Sequence, residues 1–169
     1  VIPYAPKVSG VMNGDFHYID DNGVMSVSSF VSVDKMAYEG CKIGDVASEF
    51  VYMPREGGNE HCVDGTFSVD DYEVCTLSGT YVTSGFGHLS ADVQLQRTPL
   101  LLLNGFMPDR LLNFKGYADG HVKVDGQLNR LDVDGELMFD SAYVASEPYG
   151  VEMRLCDDPV TITDSKMKF

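Results

Sequence analysis

The clearest pattern in the chain is a strict alternation of apolar and polar residues on both sides of Asn129-Arg130. Successive side chains of a β-strand point to opposite faces, so this alternation predicts two strands around a tight turn, each with one apolar and one polar face. The pattern leaves open whether the apolar face is an ordinary core or a surface for an apolar ligand. The apolar positions of this hairpin, residues 114–139, are Val122, Val124, Leu128, Leu131, Val133, Leu137 and Phe139.

The same alternation predicts strands through most of the chain. It is cleanest where Leu89, Ala91, Val93 and Leu95 alternate with polar residues, and it recurs where Val63, Phe67 and Val69 do so. Clusters of Gly, Asp, Asn and Pro separate the segments and indicate turns. We therefore predict an all-β fold built as one antiparallel meander. Further strands are predicted at residues 26–33, 49–53, 72–82, 151–156 and 160–163.

Residues 99–114 break this alternation. Their apolar residues cluster without a period of two, Pro99 suits the first position of a helix, and Asp109 could open a second one. Gly105 and Pro108 exclude a single long helix. We expect one or two short helical turns near residues 100–114 that cover an open end of the sheet.

Residues 8–16 are similar to residues 114–122, with Gly10 and Gly14 in the first copy matching Gly116 and Gly120 in the second. We call this internal similarity the echo. Its period is longer than that of tight solenoid repeats. The sequence starts without a Met, and residues 166–169 alternate like the start of a further strand. We interpret residues 1–169 as a single β-rich segment of a larger protein, and we expect the repeated element to recur outside it.

The charge of the chain limits its partners. Acidic residues outnumber basic ones 26 to 12, and the net charge of -14 would repel nucleic acid and anionic membrane surfaces. The longest apolar run, residues 100–103, is far shorter than the roughly 20 residues that span a bilayer. We expect a folded protein that binds no nucleic acid.

The four cysteines, Cys41, Cys62, Cys75 and Cys156, are irregularly spaced and form no Cys-x-x-Cys pair. Cys62 and Cys75 lie in neighbouring predicted strands, so a disulfide between them stays open. Half-buried free thiols are the better explanation, because free cysteine is commonly buried.

Metal sites have weak support in the sequence. His17, His61, His88 and His121 are isolated, whereas metal ligands commonly come at close spacing. The best zinc arrangement, His61-Cys62 with Cys75, is less favoured than ordinary strand residues. The Asp-Gly pairs at residues 119–120, 125–126 and 134–135 lack the closing Glu of a calcium loop, so bulges, turns and strand glycines explain them better. We expect no cofactor.

Catalytic motifs are equally sparse. The sequence contains no Gly-x-Ser-x-Gly elbow, and no cysteine has a recognisable activating neighbourhood. Paired carboxylates would depend on the fold, since 26 acidic residues offer many chance pairs. We predict a non-enzymatic protein, with a hydrolase as the weakest of the hypotheses.

Several segments of the second half resemble a known family. They are DVQLQRTPL at residues 92–100, NGFMP at 104–108, FKGYADG at 114–120, VDG at 124–126 and VDGEL at 133–137. Together they resemble the C-terminal part of TamB proteins, which belong to the AsmA-like group of envelope proteins in double-membraned bacteria. The likeness covers residues 91–169.

The resemblance implies a long antiparallel sheet folded as an open trough, the β-taco, with an apolar interior. It also implies a periplasmic location, with an inner-membrane anchor in a segment outside residues 1–169. Family members are linked to the movement of phospholipid toward the outer membrane and, with an outer-membrane partner of the TamA type, to the assembly of outer-membrane proteins. Phospholipid acyl chains are then the expected ligand.

Our first hypothesis is therefore a lipid-conducting groove, and the alternative is a closed β-sandwich of a surface or secreted protein that binds a glycan or a protein. The two differ in whether the apolar residues meet each other in a sealed core. Exposed edge strands would also allow copies of the segment to form a dimer. The predicted groove lining is Val63, Phe67, Leu89, Val93, Leu95, Val122, Val124, Leu128, Leu131, Val133, Leu137 and Phe139.

Overall fold

A computed structural model of the chain describes residues 7–21, 24–38, 41–55, 57–106, 112–155 and 157–168. The predicted all-β fold is confirmed, and the described residues contain no α-helix. One 3-10 helix, η1 (Leu100–Phe106), joins β6 to β7. The strands are β1 (Val8–Asp21), β2 (Val24–Tyr38), β3 (Cys41–Pro54), β4 (Glu60–Val69), β5 (Tyr72–Val82), β6 (His88–Pro99), β7 (Asn113–Gln127), β8 (Arg130–Ser146), β9 (Val151–Arg154), β10 (Val160–Thr163) and β11 (Lys166–Lys168).

All strands belong to one antiparallel sheet, in which β1 to β8 pair in chain order. The far edge of β8 is shared, because β10 pairs with its residues 135–137 and β9 with its residues 143–146. The sheet is open and does not close into a barrel, as predicted. Whether it curls into a trough stays a prediction.

The strand register places the apolar residues of successive strands on one face. Paired residues in neighbouring strands share a face, so one row can be followed from β1 to β8. We call the face that carries this row the apolar face and the opposite one the polar face. The row consists of Tyr18, Val27, Tyr52, Val63, Gly79, Ala91, Val124 and Val133.

The next row, on the polar face, is almost entirely polar. Small hydroxyl and charged side chains dominate it, which is the pattern expected for a surface in contact with water. This row consists of His17, Ser28, Val51, Asp64, Ser78, Asp92, Lys123 and Asp134. These two neighbouring rows therefore differ sharply in chemistry from β1 to β8.

The two copies of the echo have matching backbone geometry. Gly10 of β1 lies opposite two residues of β2, Lys35 and Met36, and Gly116 of β7 lies opposite two residues of β8, Ser141 and Ala142. Such a two-against-one arrangement is a β-bulge. Lys35 and Ser141 have nearly equal positive φ values, 52° and 51°. The recurrence of the element beyond this chain stays a prediction.

The structure changes three details of the predicted elements. The helical segment is η1 alone within the described residues, since β7 already begins at Asn113 and residues 107–111 lie outside them. Pro99 ends β6 and does not belong to the helix. The hairpin turn consists of Leu128-Asn129, because Gln127 pairs with Arg130. The predicted turn, Asn129-Arg130, was therefore wrong by one residue. The reason is that Leu128 continues the apolar–polar alternation of β7 although it has no partner in β8.

Candidate functional site

Eleven of the twelve predicted lining residues project from the apolar face, as the pairings of β4 to β8 show. The exception is Leu128, which lies in the hairpin turn with 54% of its surface exposed. The face also continues over β1 to β3, where no lining residue was predicted. The alternation in β2 was visible in the sequence, but the register that joins β2 to β4 was not. The residues that extend the face include Met12, Phe16, Val31, Phe50, Leu77 and Tyr81.

The apolar face is not sealed. All eleven lining residues on it are half-buried, and no large side chain among the described residues has less than 2% of its surface exposed. The chain exposes 11288 Å², whereas a compact globular protein of this mass exposes about 8,200 Å². Within the described residues, the sheet and η1 are the only elements, so no second sheet covers the face. A broad apolar surface therefore remains in contact with solvent.

One end of the apolar face is closed by small hydrophobic clusters. Leu100 of η1 packs between Ala118 and Ala142, and the lining residues Leu95 and Phe139 pack against this cluster. A second cluster, formed by Val46, Val69 and Val74 together with Phe67, lies at the same strand ends. The most buried residues of β2 to β5 and of β7 thus lie toward this end, which we call the η1 end.

Asn104 holds η1 in place through its side-chain amide. The amide oxygen accepts a hydrogen bond from the backbone N–H of Phe114 at 2.7 Å, and the amide nitrogen donates to the carbonyl of Phe114 at 3.1 Å and to Oδ1 of Asn113 at 3.0 Å. Only 8% of Asn104 is exposed. A buried amide with its bonds satisfied fixes local geometry, because an unpaired one would be costly. The predicted covering of one end by a helical turn is therefore realised by η1.

The opposite end of the apolar face carries polar rings. The hydroxyl of Tyr52 lies 2.7 Å from Nδ1 of His61, and the His61 ring stacks between the rings of Tyr52 and Tyr81 at centroid distances of 5.9 and 6.2 Å. His61 lies directly opposite Tyr81, and Tyr52 lies diagonal to it. We call these three residues the ring ladder. Each residue of the ladder is half-buried.

Acidic residues of the polar face have a structural role at the bulges. Asp45 and Asp119 each accept the backbone N–H of a residue with positive φ on the neighbouring strand, namely Lys35 at 2.7 Å and Arg97 at 2.8 Å. Asp134 accepts the N–H of Asp164 at 3.1 Å. Carboxylates in this position satisfy N–H groups that the bulge removes from the ladder. Two of the three Asp-Gly pairs thus contain a carboxylate that stabilises the backbone.

Metal binding finds no support in the structure. The part of the chain that it describes contains no group of three His, Cys, Asp or Glu that could hold an ion. His61 and Cys62 are adjacent strand residues and point to opposite faces. Cys75 pairs with Phe67, six residues from His61 along β4, or roughly 20 Å. The strand register therefore excludes a zinc site formed by His61, Cys62 and Cys75.

Cys62 and Cys75 are free thiols, both half-buried. Cys62 pairs with Thr80 and Cys75 with Phe67, so about five residue steps, roughly 17 Å, separate them. A disulfide needs Cα atoms within about 7 Å, so these two cysteines cannot form one. Burial raises the pKa of the Cys75 thiol. Cys156 and the side chain of Cys41 lie outside the described residues.

The polar face contains two shallow depressions of about 360 and 440 Å³. Glu49, Asp64 and Thr66 line the first, and Ser90, Lys123 and Asp125 line the second. Both are open to solvent and lie over short side chains such as Ser78. Neither depression is an enclosed cavity, so the broad apolar face is the better candidate surface. At the end of β3, contact with Cys62 and then with Glu60 raises the pKa of Arg55.

Comparisons with protein-family models, with curated proteins and with solved structures find no match for this chain. In the described part of the chain, no helix has the length and apolar character needed to cross a membrane. The candidate functional surface therefore rests on the geometry of the sheet itself.

Proposed function

We propose that this chain is a non-enzymatic segment of an envelope protein whose apolar face shields phospholipid acyl chains from water. The observation that carries this proposal is the continuity of one apolar row across eight neighbouring strands, with no second sheet over it among the residues that the structure describes. An acyl chain gains roughly 0.8 kcal/mol for each methylene removed from water. A continuous apolar face therefore binds such chains without any specialised residue.

The resemblance of residues 91–169 to TamB proteins supports a place for the segment in the periplasm, anchored through a part of the protein outside it. In this proposal phospholipid moves along the apolar face between the inner and outer membranes. Assistance to outer-membrane protein assembly with a TamA-type partner is the second activity that the resemblance supports. The open sheet with one apolar face is compatible with the trough that both activities need.

The closed sandwich lacks comparable support. It requires the apolar residues of two sheets to meet in a sealed core, whereas all strands of the described residues belong to one sheet. The lining residues Val93 and Val124 are half-buried rather than enclosed. The surface that a sandwich would hide is thus available to a ligand.

Site-specific photo-crosslinking in the periplasm tests the proposal. A photoreactive amino acid at Val63, Val93 or Val124 should capture phospholipid, because these residues lie on the apolar face. The same group at Asp64, Gln94 or Lys123 provides matched controls one residue away on the polar face. Equal capture from both faces, or capture from the polar face alone, would refute the proposed role of the apolar face.

A further inference from the structure

The polar residues of the apolar face are unevenly distributed along the strands. The ring ladder of Tyr52, His61 and Tyr81 lies at the end remote from η1. Tyr18 lies in the same row as Tyr52, with 56% of its surface exposed. Tyrosine is favoured where an apolar region meets a wet one, since its ring is apolar and its hydroxyl is polar. This end of the face therefore has the composition of an interface between hydrocarbon and polar headgroups.

The ladder also offers a hydrogen-bond donor to a ligand. When the Tyr52 hydroxyl donates to Nδ1 of His61, the neutral imidazole carries its proton on Nε2. That N–H and the hydroxyl of Tyr81 are then donors at the edge of the apolar face. Phosphodiester oxygens and ester carbonyls of a phospholipid are acceptors of this kind. The ladder thus complements a headgroup rather than an acyl chain.

The distance between the ladder and the closed end leaves room for one acyl chain. From His61 to Phe67, which packs on the cluster at the η1 end, β4 advances six residues, or roughly 20 Å. One leaflet of a bilayer, half of a hydrocarbon core about 30 Å thick, is roughly 15 Å deep. An acyl chain that starts at the ladder therefore ends within roughly 5 Å of Phe67, close enough for a group at its terminus to contact the residues at the η1 end.

We propose that the ring ladder is a headgroup site, and that a phospholipid lies along the strands with its headgroup at Tyr52, His61 and Tyr81 and its acyl ends toward η1. This inference rests on the proposed function, because it assigns a direction to the lipid on the same face. The overall charge of -14 repels a ligand with a net negative charge, whereas the ammonium of a zwitterionic headgroup cancels the charge of its phosphate. The site therefore favours a zwitterionic headgroup over an anionic one.

The test uses the full chain and phosphatidylcholine with a photoreactive group either at the acyl terminus or next to the glycerol. The terminal probe should label Phe67, Leu95 or Phe139, near the η1 end, and the glycerol probe should label Val63 or Leu89, near the ladder. Labelled sites are identified by mass spectrometry of peptides. Equal labelling of both ends by both probes would overturn the direction of binding and leave the proposed function intact. Absence of any labelled lipid would instead count against the proposed function itself.

Substitutions test the ladder independently. Replacement of His61 by Ala should weaken phosphatidylcholine binding roughly threefold to tenfold, the loss expected for one hydrogen bond. His61→Gln keeps a side-chain N–H and should recover part of the affinity. His17→Ala, an exposed histidine on the polar face, is the matched control. The same affinity for all three variants, or tighter binding of phosphatidylglycerol than of phosphatidylcholine, would overturn the headgroup site.

Discussion

The hydroxyl of Tyr38, in the last residue of β2, donates a hydrogen bond of 2.7 Å to the carbonyl oxygen of Asn104 in η1. In a flat sheet, β2 and β6 would be separated by four strand spacings, roughly 19 Å. The bond therefore joins two regions that strand pairing alone keeps apart. It shows that η1 reaches across the end of the sheet to β2.

Tyr38→Phe should lower the free energy of unfolding by about 1 kcal/mol. The ring would keep its packing, but the carbonyl of Asn104 would lose a donor in a place where Tyr38 is only 7% exposed. Urea denaturation followed by circular dichroism measures the change. Tyr149→Phe, in a turn where the ring is 74% exposed, is the control and should leave stability unchanged. Equal stability of both variants would show that the bond contributes nothing.

Asp119 stabilises the bulge of β6, where Arg97 has a φ of 45°. Its carboxylate accepts the N–H of Arg97, whose guanidinium lies 3.1 Å from Asp140 and 4.8 Å from the centre of the Tyr117 ring. Asp119→Ala should cost about 1 to 2 kcal/mol, because the N–H of Arg97 loses a charged acceptor. Asp119→Asn retains an acceptor oxygen and should cost less.

The midpoint of urea unfolding compares these variants. Asp132→Ala removes an exposed acid from β8 and serves as the control for the change in net charge. A loss for Asp132→Ala as large as that for Asp119→Ala would contradict a specific role of Asp119 at the bulge.

The positions of the strands could be predicted from the sequence better than the register in which neighbouring strands pair. Strand β5 has the predicted bounds, Tyr72–Val82, because turn residues flank it on both sides. Bulges have no comparable signal, since Lys35, Arg97 and Ser141 adopt positive φ without being glycine. These bulges set which residues of distant strands share a face. The sequence alone therefore indicated lining residues in β4 and β6 to β8, but not those in β1 to β3 and β5.

The ring ladder was missed for the same reason. Tyr52 and His61 are nine residues apart, and only the pairing of β3 with β4 brings them together. In the sequence, His61 is one of four isolated histidines. A signal was nevertheless present, because His61 has the same strand phase as Val63. The position of a residue in the alternation of its strand determines the face on which its side chain lies. Its neighbours on that face depend on the register between strands.

Gly120→Ala should be strongly destabilising, by about 3 kcal/mol or more. Gly120 has a φ of 136°, and a Cβ there would clash with the backbone carbonyl oxygen of Glu136. Backbone strain and a clash with backbone then add together. Gly14→Ala changes the matching glycine of the echo, where a Cβ would lie 3.3 Å from its nearest atom. It should cost much less, and equal thermal stability of the two variants would contradict this account.

Cys75 should make stability depend on pH in the alkaline range. Its side chain lies on the apolar face, in the pairs with Phe67 and Leu95, and burial raises the pKa of its thiol. The folded protein then binds the thiol proton more tightly than the unfolded chain does. The resulting stabilisation is fully present below the ordinary thiol pKa of about 8.5 and is lost as pH rises through the higher folded value.

A comparison of two variants measures this effect. One variant keeps Cys75 as its only cysteine, and in the other Cys75 is replaced by Ala as well. Both lack the thiols of Cys41, Cys62 and Cys156, so the difference between their pH profiles isolates Cys75. The free energy of unfolding of the first chain should fall more steeply above about pH 8.5. Iodoacetamide should also alkylate Cys75 more slowly in the folded chain than in urea at the same pH, because the thiolate is the reactive form. Parallel pH profiles together with equal alkylation rates would show that Cys75 titrates as a thiol in water does.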